Sequence, residues 1–312
     1  MIHYITADTL FANEMDINGL VDLIENLPGV QPGDSINIMA YDENPEWMVE
    51  EDQVTAISTR DVHLNLIVGG LETYNNSLIK RLNIKHQSFP LYFFHRVYQD
   101  IKEMTFNAVT PKSHFLSLNG QARYHRCYLM DQIVKHNLQG YGKISWHKLA
   151  TYNRYKWQYW KPEILHFESQ PLDKDINATR YHLPTEWYET AFNVVTETDV
   201  KKTFFTEKTV MPLLIGKPFL VLGAPRFHLQ LVRLGFKLYD DIFDYSFDNE
   251  DKLFDRTAGI IQNLNILKDL TPAELYDVCK DKINHNQKNA IRLAVRRVPK
   301  IYSNYINSLN LV

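Results

Sequence analysis

A Thr-Glu-Lys triplet in the second half of the chain carries the strongest chemical signal in this sequence. The triplet precedes a short apolar run that ends at Gly216, and residues 219–222 follow as an apolar strand. Thr206 is the predicted N-cap, so Glu207 and Lys208 fall at a helix N-terminus, where backbone N–H groups and the helix dipole favour an anion. There the carboxylate can bind ribose hydroxyls and the ammonium can bind phosphate. The triplet therefore predicts a nucleotide site.

A second candidate block follows the strand-like segment from Phe115 to Leu118 and contains two arginines. Arg123 and Arg126 are three residues apart, so both can face the same side of the first turn of a helix. Either guanidinium can hold a diphosphate through two parallel hydrogen bonds. The alternative is that one of the two is an ordinary surface residue.

Together these blocks resemble the donor-binding segments of nucleotide-sugar glycosyltransferases, in particular the α-1,3-fucosyltransferases and related glycosyltransferase-like proteins of bacteriophages. The resemblance covers about residues 112–260 and is strongest between Thr206 and Gly223. It implies a hexosyl- or pentosyltransferase. It also implies that Arg123 and Arg126 bind the donor diphosphate, while Glu207 binds ribose and Lys208 binds phosphate.

Strand-like and helix-like segments alternate along the chain, which predicts an α/β fold with parallel sheets. The predicted strands are 2–6, 35–41, 62–68, 89–94, 115–118, 143–146, 219–222 and 236–239, and the predicted helices include 16–27, 96–104, 122–138, 225–234 and 286–309. The resemblance implies two Rossmann-like domains facing a cleft, the GT-B architecture, with a C-terminal helix that crosses back. The expected domains are 1–110 on the acceptor side, 111–285 for the nucleotide sugar, and the helix 286–312.

Acids at the ends of strands in the first domain are candidates for the general base that deprotonates an acceptor hydroxyl. Glu72 follows Gly69-Gly70, and Asp42 follows the strand that ends at Tyr41. Asp8 is a third candidate, and each of the three also fits an ordinary turn. The stereochemistry of transfer stays open.

Positive charge is concentrated between Met104 and Pro162, where nine Lys or Arg residues accompany one acid in a chain of net charge −3. Such asymmetry favours an anionic partner. Aromatic side chains interleave with Lys148, Arg154 and Lys156, a pattern that can stack bases while it holds phosphates. We expect these three cations to contact DNA that carries a hydroxymethylated base. A glycan or lipid-linked acceptor in surface polysaccharide synthesis is the alternative.

Two other functional classes stay open at this point. One is a non-catalytic protein that binds a nucleotide or nucleic acid, and the other is a sugar-nucleotide epimerase that needs no acceptor. Gly69-Gly70 lacks the third glycine of a dinucleotide fingerprint, so NAD is not expected.

Metal ligands are not expected either. Asp173 and Asp175 form an acid-x-acid pair in a polar stretch with no strand before it, which fits a solvated loop, and the twelve His residues are scattered. Asp248 and Arg256 are interpreted as a surface ion pair. We therefore expect no cofactor beyond the donor and no metal requirement.

The expected location is the cytoplasm, which is the host cytoplasm if the gene belongs to a phage. The N-terminus shows no secretory signal, and the apolar runs are too short to span a membrane. The two cysteines, Cys127 and Cys279, cannot build a disulfide framework.

Overall fold

The computed structural model describes residues 2–6, 29–40, 61–68, 85–88, 90–102, 110–119, 123–146 and 185–295. The chain divides into two compact units, one comprising Met1–Tyr92 with Val295–Val312 and the other comprising Phe93–Ala294.

The first unit contains a four-stranded parallel sheet in the order β1-β2-β3-β4. Its strands are β1 (Ile2–Thr6), β2 (Ser35–Ala40), β3 (His63–Val68) and β4 (Lys85–Ser88). Ile36 and Leu64 are buried on neighbouring strands, and the Asn65 amide donates to Asn37 Oδ1 at 2.8 Å. This hydrogen bond between side-chain amides links β2 and β3 in addition to their backbone ladder.

The second unit contains another four-stranded parallel sheet, in the order β6-β5-β7-β8. Its strands are β5 (Ser113–Asn119), β6 (Gly142–Trp146), β7 (Thr190–Thr196) and β8 (Phe219–Leu222). Every residue of β7 and β8 is buried, as expected of parallel strands covered on both faces. The predicted α/β class with two parallel sheets is therefore confirmed.

Eight α-helices, numbered in chain order, lie in the described part of the chain. They are α1 (Tyr92–Ile101), α2 (Tyr124–Lys135), α3 (Thr185–Glu189), α4 (Glu207–Ile215), α5 (Phe227–Arg233), α6 (Leu253–Leu267), α7 (Pro272–Val278) and α8 (Lys280–Ala294). Helix α4 ends at Gly216, whose φ of 75° is a left-handed conformation that favours glycine. A reciprocal capping box between Thr271 and Glu274 starts α7.

The strand predicted at residues 89–94 is wrong in its described part. Residues 90 and 91 form a turn, and α1 begins at the next residue. Phe94, Val97 and Ile101 are buried at helical spacing, so the apolar residues belong to a helix face and not to a strand. Phe94 stacks on Phe236 with ring centroids 5.8 Å apart, so α1 packs within the second unit.

The strand predicted at residues 236–239 is also wrong. Asn286 of α8 accepts a hydrogen bond from Lys237 N at 2.8 Å and donates to Lys237 O at 2.8 Å. This side chain satisfies the backbone groups that a strand neighbour would otherwise satisfy. Phe236 and Tyr239 are consequently buried without joining the sheet.

Two predicted helices lie partly or wholly outside the described residues. Helix α8 ends at Ala294, and the rest of the predicted C-terminal helix falls in residues 296–312, which are not described. The predicted helix 16–27 lies entirely outside the described part of the chain. The expected cleft and the crossing of the last helix stay predictions.

Candidate functional site

The carboxyl ends of β5 and β7 form a topological switch point in the second sheet. These neighbouring parallel strands are followed by connections that leave in opposite directions, since β6 lies beyond β5 and β8 lies beyond β7. Ligands of open α/β sheets bind outside the strand ends at such points. Thr196 ends β7 and donates to Asn119 Oδ1 at the end of β5, at 3.0 Å. That hydrogen bond fixes the two strand ends side by side.

Two arginines reach from the start of α2 to the segment that follows β7. Arg123 Nη1 donates to Thr198 O at 2.5 Å, and Arg126 Nη2 donates to Thr196 O at 3.4 Å. Burial and then the charge of Arg123 lower the pKa of Arg126, nearby carboxyl groups partly offset this, and the net value is about 10. Arg126 therefore stays protonated at neutral pH and places a buried positive charge at the switch point.

Glu197, which was not among the predicted site residues, is a fully buried carboxylate directly after β7. Its oxygens accept hydrogen bonds from Thr206 Oγ1 at 2.6 Å and from Thr209 Oγ1 at 2.5 Å. They also accept from the backbone N–H of Thr198 at 3.1 Å and of Thr206 at 3.2 Å. This carboxylate therefore attaches the start of α4 to the end of β7. The signal that could have identified it is an acid directly after an apolar strand, followed by threonines at helical spacing.

Glu207 and Lys208 begin α4, as predicted, and their side chains form an ion pair. Thr206 Oγ1 caps the helix by accepting from Lys208 N at 3.3 Å. Burial raises the pKa of Glu207, but Lys208 and Arg126 together hold it below its usual value. Both side chains of the pair keep about a third of their surface exposed, at 32% and 28%, so a ligand can reach them.

One residue joins the two predicted blocks. The carbonyl oxygen of Thr198 accepts a hydrogen bond from Arg123 Nη1 at 2.5 Å. The hydroxyl of Thr198 accepts one from Lys208 Nζ at 3.4 Å. Arg126 and Glu207 are also close enough for each charge to affect the other's pKa. The four residues predicted to bind the donor therefore converge at the end of β7.

A buried histidine completes this cluster. His125 Nε2 donates to Glu197 O at 2.9 Å. Burial lowers the pKa of His125 to about 4, and the positive charges of Arg126 and Arg123 contribute to the lowering. The imidazole is therefore neutral at pH 7, and its N–H holds the Glu197 carbonyl without adding charge to the site.

Asp248 and Arg256 do not form the surface ion pair that we expected, because both are buried. Asp248 Oδ1 accepts from His228 Nδ1 at 2.8 Å and from His228 N at 3.2 Å, so it holds the start of α5. Arg256 Nη2 donates to Val200 O at 3.0 Å. Arg256 thus attaches the start of α6 to the same segment that Arg123 contacts.

Several predicted site residues lie outside the described part of the chain. They are the base candidates Glu72, Asp42 and Asp8, the acceptor contacts Lys148, Arg154 and Lys156, and the acids Asp173 and Asp175. Within the described ranges, no group of three or more His, Cys, Asp or Glu side chains is placed to hold a metal ion. Among the described helices, none is long and apolar enough to cross a membrane.

Comparisons with known proteins give one distant similarity. Neither a protein-family model nor a curated protein matches the chain. A solved structure of the DNA-modifying enzyme β-glucosyltransferase, determined with and without its substrate uridine diphosphoglucose, is similar over 90% of this chain and 82% of its own, with a TM-score of 0.46 and 10% identity. At such low similarity, function has to be inferred from the residues of this chain.

Proposed function

We propose that the protein is a glycosyltransferase that binds a nucleotide diphosphate sugar at the carboxyl ends of β5 and β7. Arg123 and Arg126 bind the diphosphate, Glu207 binds the ribose hydroxyls, and Lys208 binds phosphate. The observation that carries the proposal is the convergence of Arg123 and Lys208 on Thr198, at the switch point of a parallel sheet.

The chemistry follows from the charges at this site. Transfer of the sugar leaves a nucleoside diphosphate, and the negative charge that develops on it needs positive groups already in place. Arg126 supplies a buried positive charge, and burial strengthens its attraction to an anion. The base that deprotonates the acceptor hydroxyl is proposed to be Glu72 or Asp42.

The first prediction concerns donor binding and Lys208. Uridine or guanosine diphosphate should raise the melting temperature of the protein, because a ligand that binds only the folded state stabilises it. Lys208→Ala should remove most of that increase. Differential scanning fluorimetry with increasing nucleotide concentration measures both effects.

The matched control is Lys288→Ala, which removes an exposed lysine from α8. The control should respond to nucleotide as the unaltered protein does. Equal responses from both variants would show that the phosphate does not bind at Lys208.

The second prediction is that transfer needs no divalent ion. Three cationic side chains, Arg123, Arg126 and Lys208, are available to stabilise the leaving diphosphate. Initial rates with excess EDTA should therefore stay within a few-fold of untreated rates. Loss of activity that magnesium or manganese restores would overturn this proposal and would make Asp173 and Asp175 candidate metal ligands.

The acceptor that we propose is a hydroxymethylated base in DNA. Five cations of the basic stretch between Met104 and Pro162 are described, and three of them, Lys112, Arg123 and Arg126, hydrogen-bond within the protein. The cations proposed for DNA are Lys148, Arg154 and Lys156, which interleave with aromatic residues in the sequence.

The third prediction tests this acceptor. DNA affinity should fall steeply as salt rises because bound counterions are released, and replacing Lys148, Arg154 and Lys156 by Ala should flatten the slope by about three in a plot of log K against log salt. Incubation with a panel of sugar nucleotides should add a sugar mass to hydroxymethylcytosine or hydroxymethyluracil in digested DNA. Transfer to a glycan and not to DNA would assign the enzyme to surface polysaccharide synthesis.

A further inference from the structure

Two aromatic rings lie half exposed where α2 and α6 begin. Tyr124 is 45% exposed and Phe254 is 48% exposed, although large aromatic side chains usually bury most of their surface. Their ring centroids are 6.5 Å apart with an edge-to-face angle of 68°. Tyr128 supports Phe254 from the next turn of α2, at a centroid distance of 4.7 Å. These rings form a fixed aromatic surface that solvent can reach.

This aromatic surface lies at the starts of the two helices that carry Arg123 and Arg256. Tyr124 directly follows Arg123, which donates to Thr198 O at 2.5 Å. Phe254 lies two residues before Arg256, which donates to Val200 O at 3.0 Å. The first turns of both helices are therefore held against the segment after β7, on which Arg123 and Lys208 converge.

We propose that the nucleobase of the donor nucleotide stacks on Tyr124 and Phe254. This inference rests on the proposed function, since it takes the diphosphate position from Arg123. A base and its phosphates belong to one molecule, so a nucleotide with phosphate at Arg123 brings its base to the rings beside that residue. Every nucleobase has a flat π face, so this surface accepts a base without selecting its identity.

The test compares variants that remove the rings with variants that keep them. Tyr124→Leu with Phe254→Leu retains apolar volume but removes both rings, whereas Tyr124→Phe with Phe254→Tyr keeps a ring at each position. Tyr141→Leu is the control, because Tyr141 is also exposed, at 36%, but lies in the short helix Gln139–Tyr141 that precedes β6. Isothermal titration with uridine and guanosine diphosphate measures affinity, and thermal melts measure folding.

We expect the ring-removing pair to weaken nucleotide binding by roughly tenfold to a hundredfold, the loss expected for one stacked base. The ring-keeping pair and Tyr141→Leu should bind within about twofold of the unaltered protein. If the double variant does not fold, the single replacements Tyr124→Leu and Phe254→Leu, each at an exposed position, should each show part of the loss.

The outcomes separate this inference from the function on which it rests. Unchanged nucleotide affinity without the rings, together with weakened binding by Lys208→Ala, overturns the stacking surface and leaves the donor site intact. Unchanged nucleotide affinity with weakened binding of single-stranded DNA assigns the rings to the acceptor and also overturns it. An unaltered protein that binds neither diphosphate refutes the proposed function itself.

Discussion

Replacement of Glu197 by Ala should lower the free energy of unfolding by on the order of 3 kcal/mol. The Glu197 carboxylate accepts four hydrogen bonds, two from backbone N–H groups and two from the hydroxyls of Thr206 and Thr209. Removing it leaves several buried donors without an acceptor, and each such donor destabilises the fold. Chemical denaturation in urea, analysed by linear extrapolation, measures the change.

The chain offers a matched control in Glu274, whose carboxylate also accepts from the backbone N–H and the hydroxyl of one threonine. Glu274 is exposed, so water replaces the lost acceptor, and Glu274→Ala should destabilise by about 1 kcal/mol or less. Equal losses from the two replacements would mean that Glu197 does not hold α4 on the sheet. Glu197→Gln, which keeps one acceptor oxygen, should lie between the two.

The second large effect is a loss of stability in acid that depends on His125. Its pKa falls from 6.5 to about 4 on folding, because the ring is buried and lies close to Arg126 and Arg123. The unfolded chain therefore binds more protons between these pH values, so the unfolding free energy falls as the pH drops from 6.5 towards 4. The contribution of this one group is about 3 kcal/mol, all of it present above pH 6.5.

The measurement is a series of denaturant titrations between pH 4 and pH 7. His125→Gln keeps an N–H donor for the carbonyl of Glu197 but cannot be protonated, so its stability should fall less steeply in acid. His136→Gln replaces an exposed histidine at the C-cap of α2 and should leave the slope unchanged. If His125→Gln follows the same pH profile as the unaltered protein, folding does not lower the pKa of His125.

Local patterns predicted the secondary structure between Thr206 and Leu222 well. The run from Thr206 to Leu222 contains a helix N-cap, a helix that ends at a glycine C-cap, and a fully buried strand, and each of these depends on neighbouring residues. Helix and strand positions were correct there because side-chain capping and glycine conformation act over only a few residues. The strand predictions at 89–94 and 236–239 failed because Phe94 and Phe236 are buried by packing against each other, and Lys237 is held by Asn286.

The interior of the site was harder to predict for the same reason. Tyr124 is exposed on α2, whereas the polar residues His125 and Arg126 beside it are buried. The side that α2 turns inward depends on Glu197 and Thr196, which lie about seventy residues further along the chain. An acid such as Asp248 is read as a surface residue until the structure places His228 against it. Partners that are distant in sequence leave no periodic signal.

The pairing of β5 with β7 has an evolutionary consequence. The chain passes from Asn119 through β6 and residues 147–184 before it returns to β7, yet Thr196 and Asn119 are joined directly. Both groups of proposed donor ligands are attached to this pair of strands, so residues 147–184 can change in length or sequence without displacing them. On the proposed function, exchange of that segment, which holds the proposed DNA contacts, would alter the acceptor while the same sugar donor is retained.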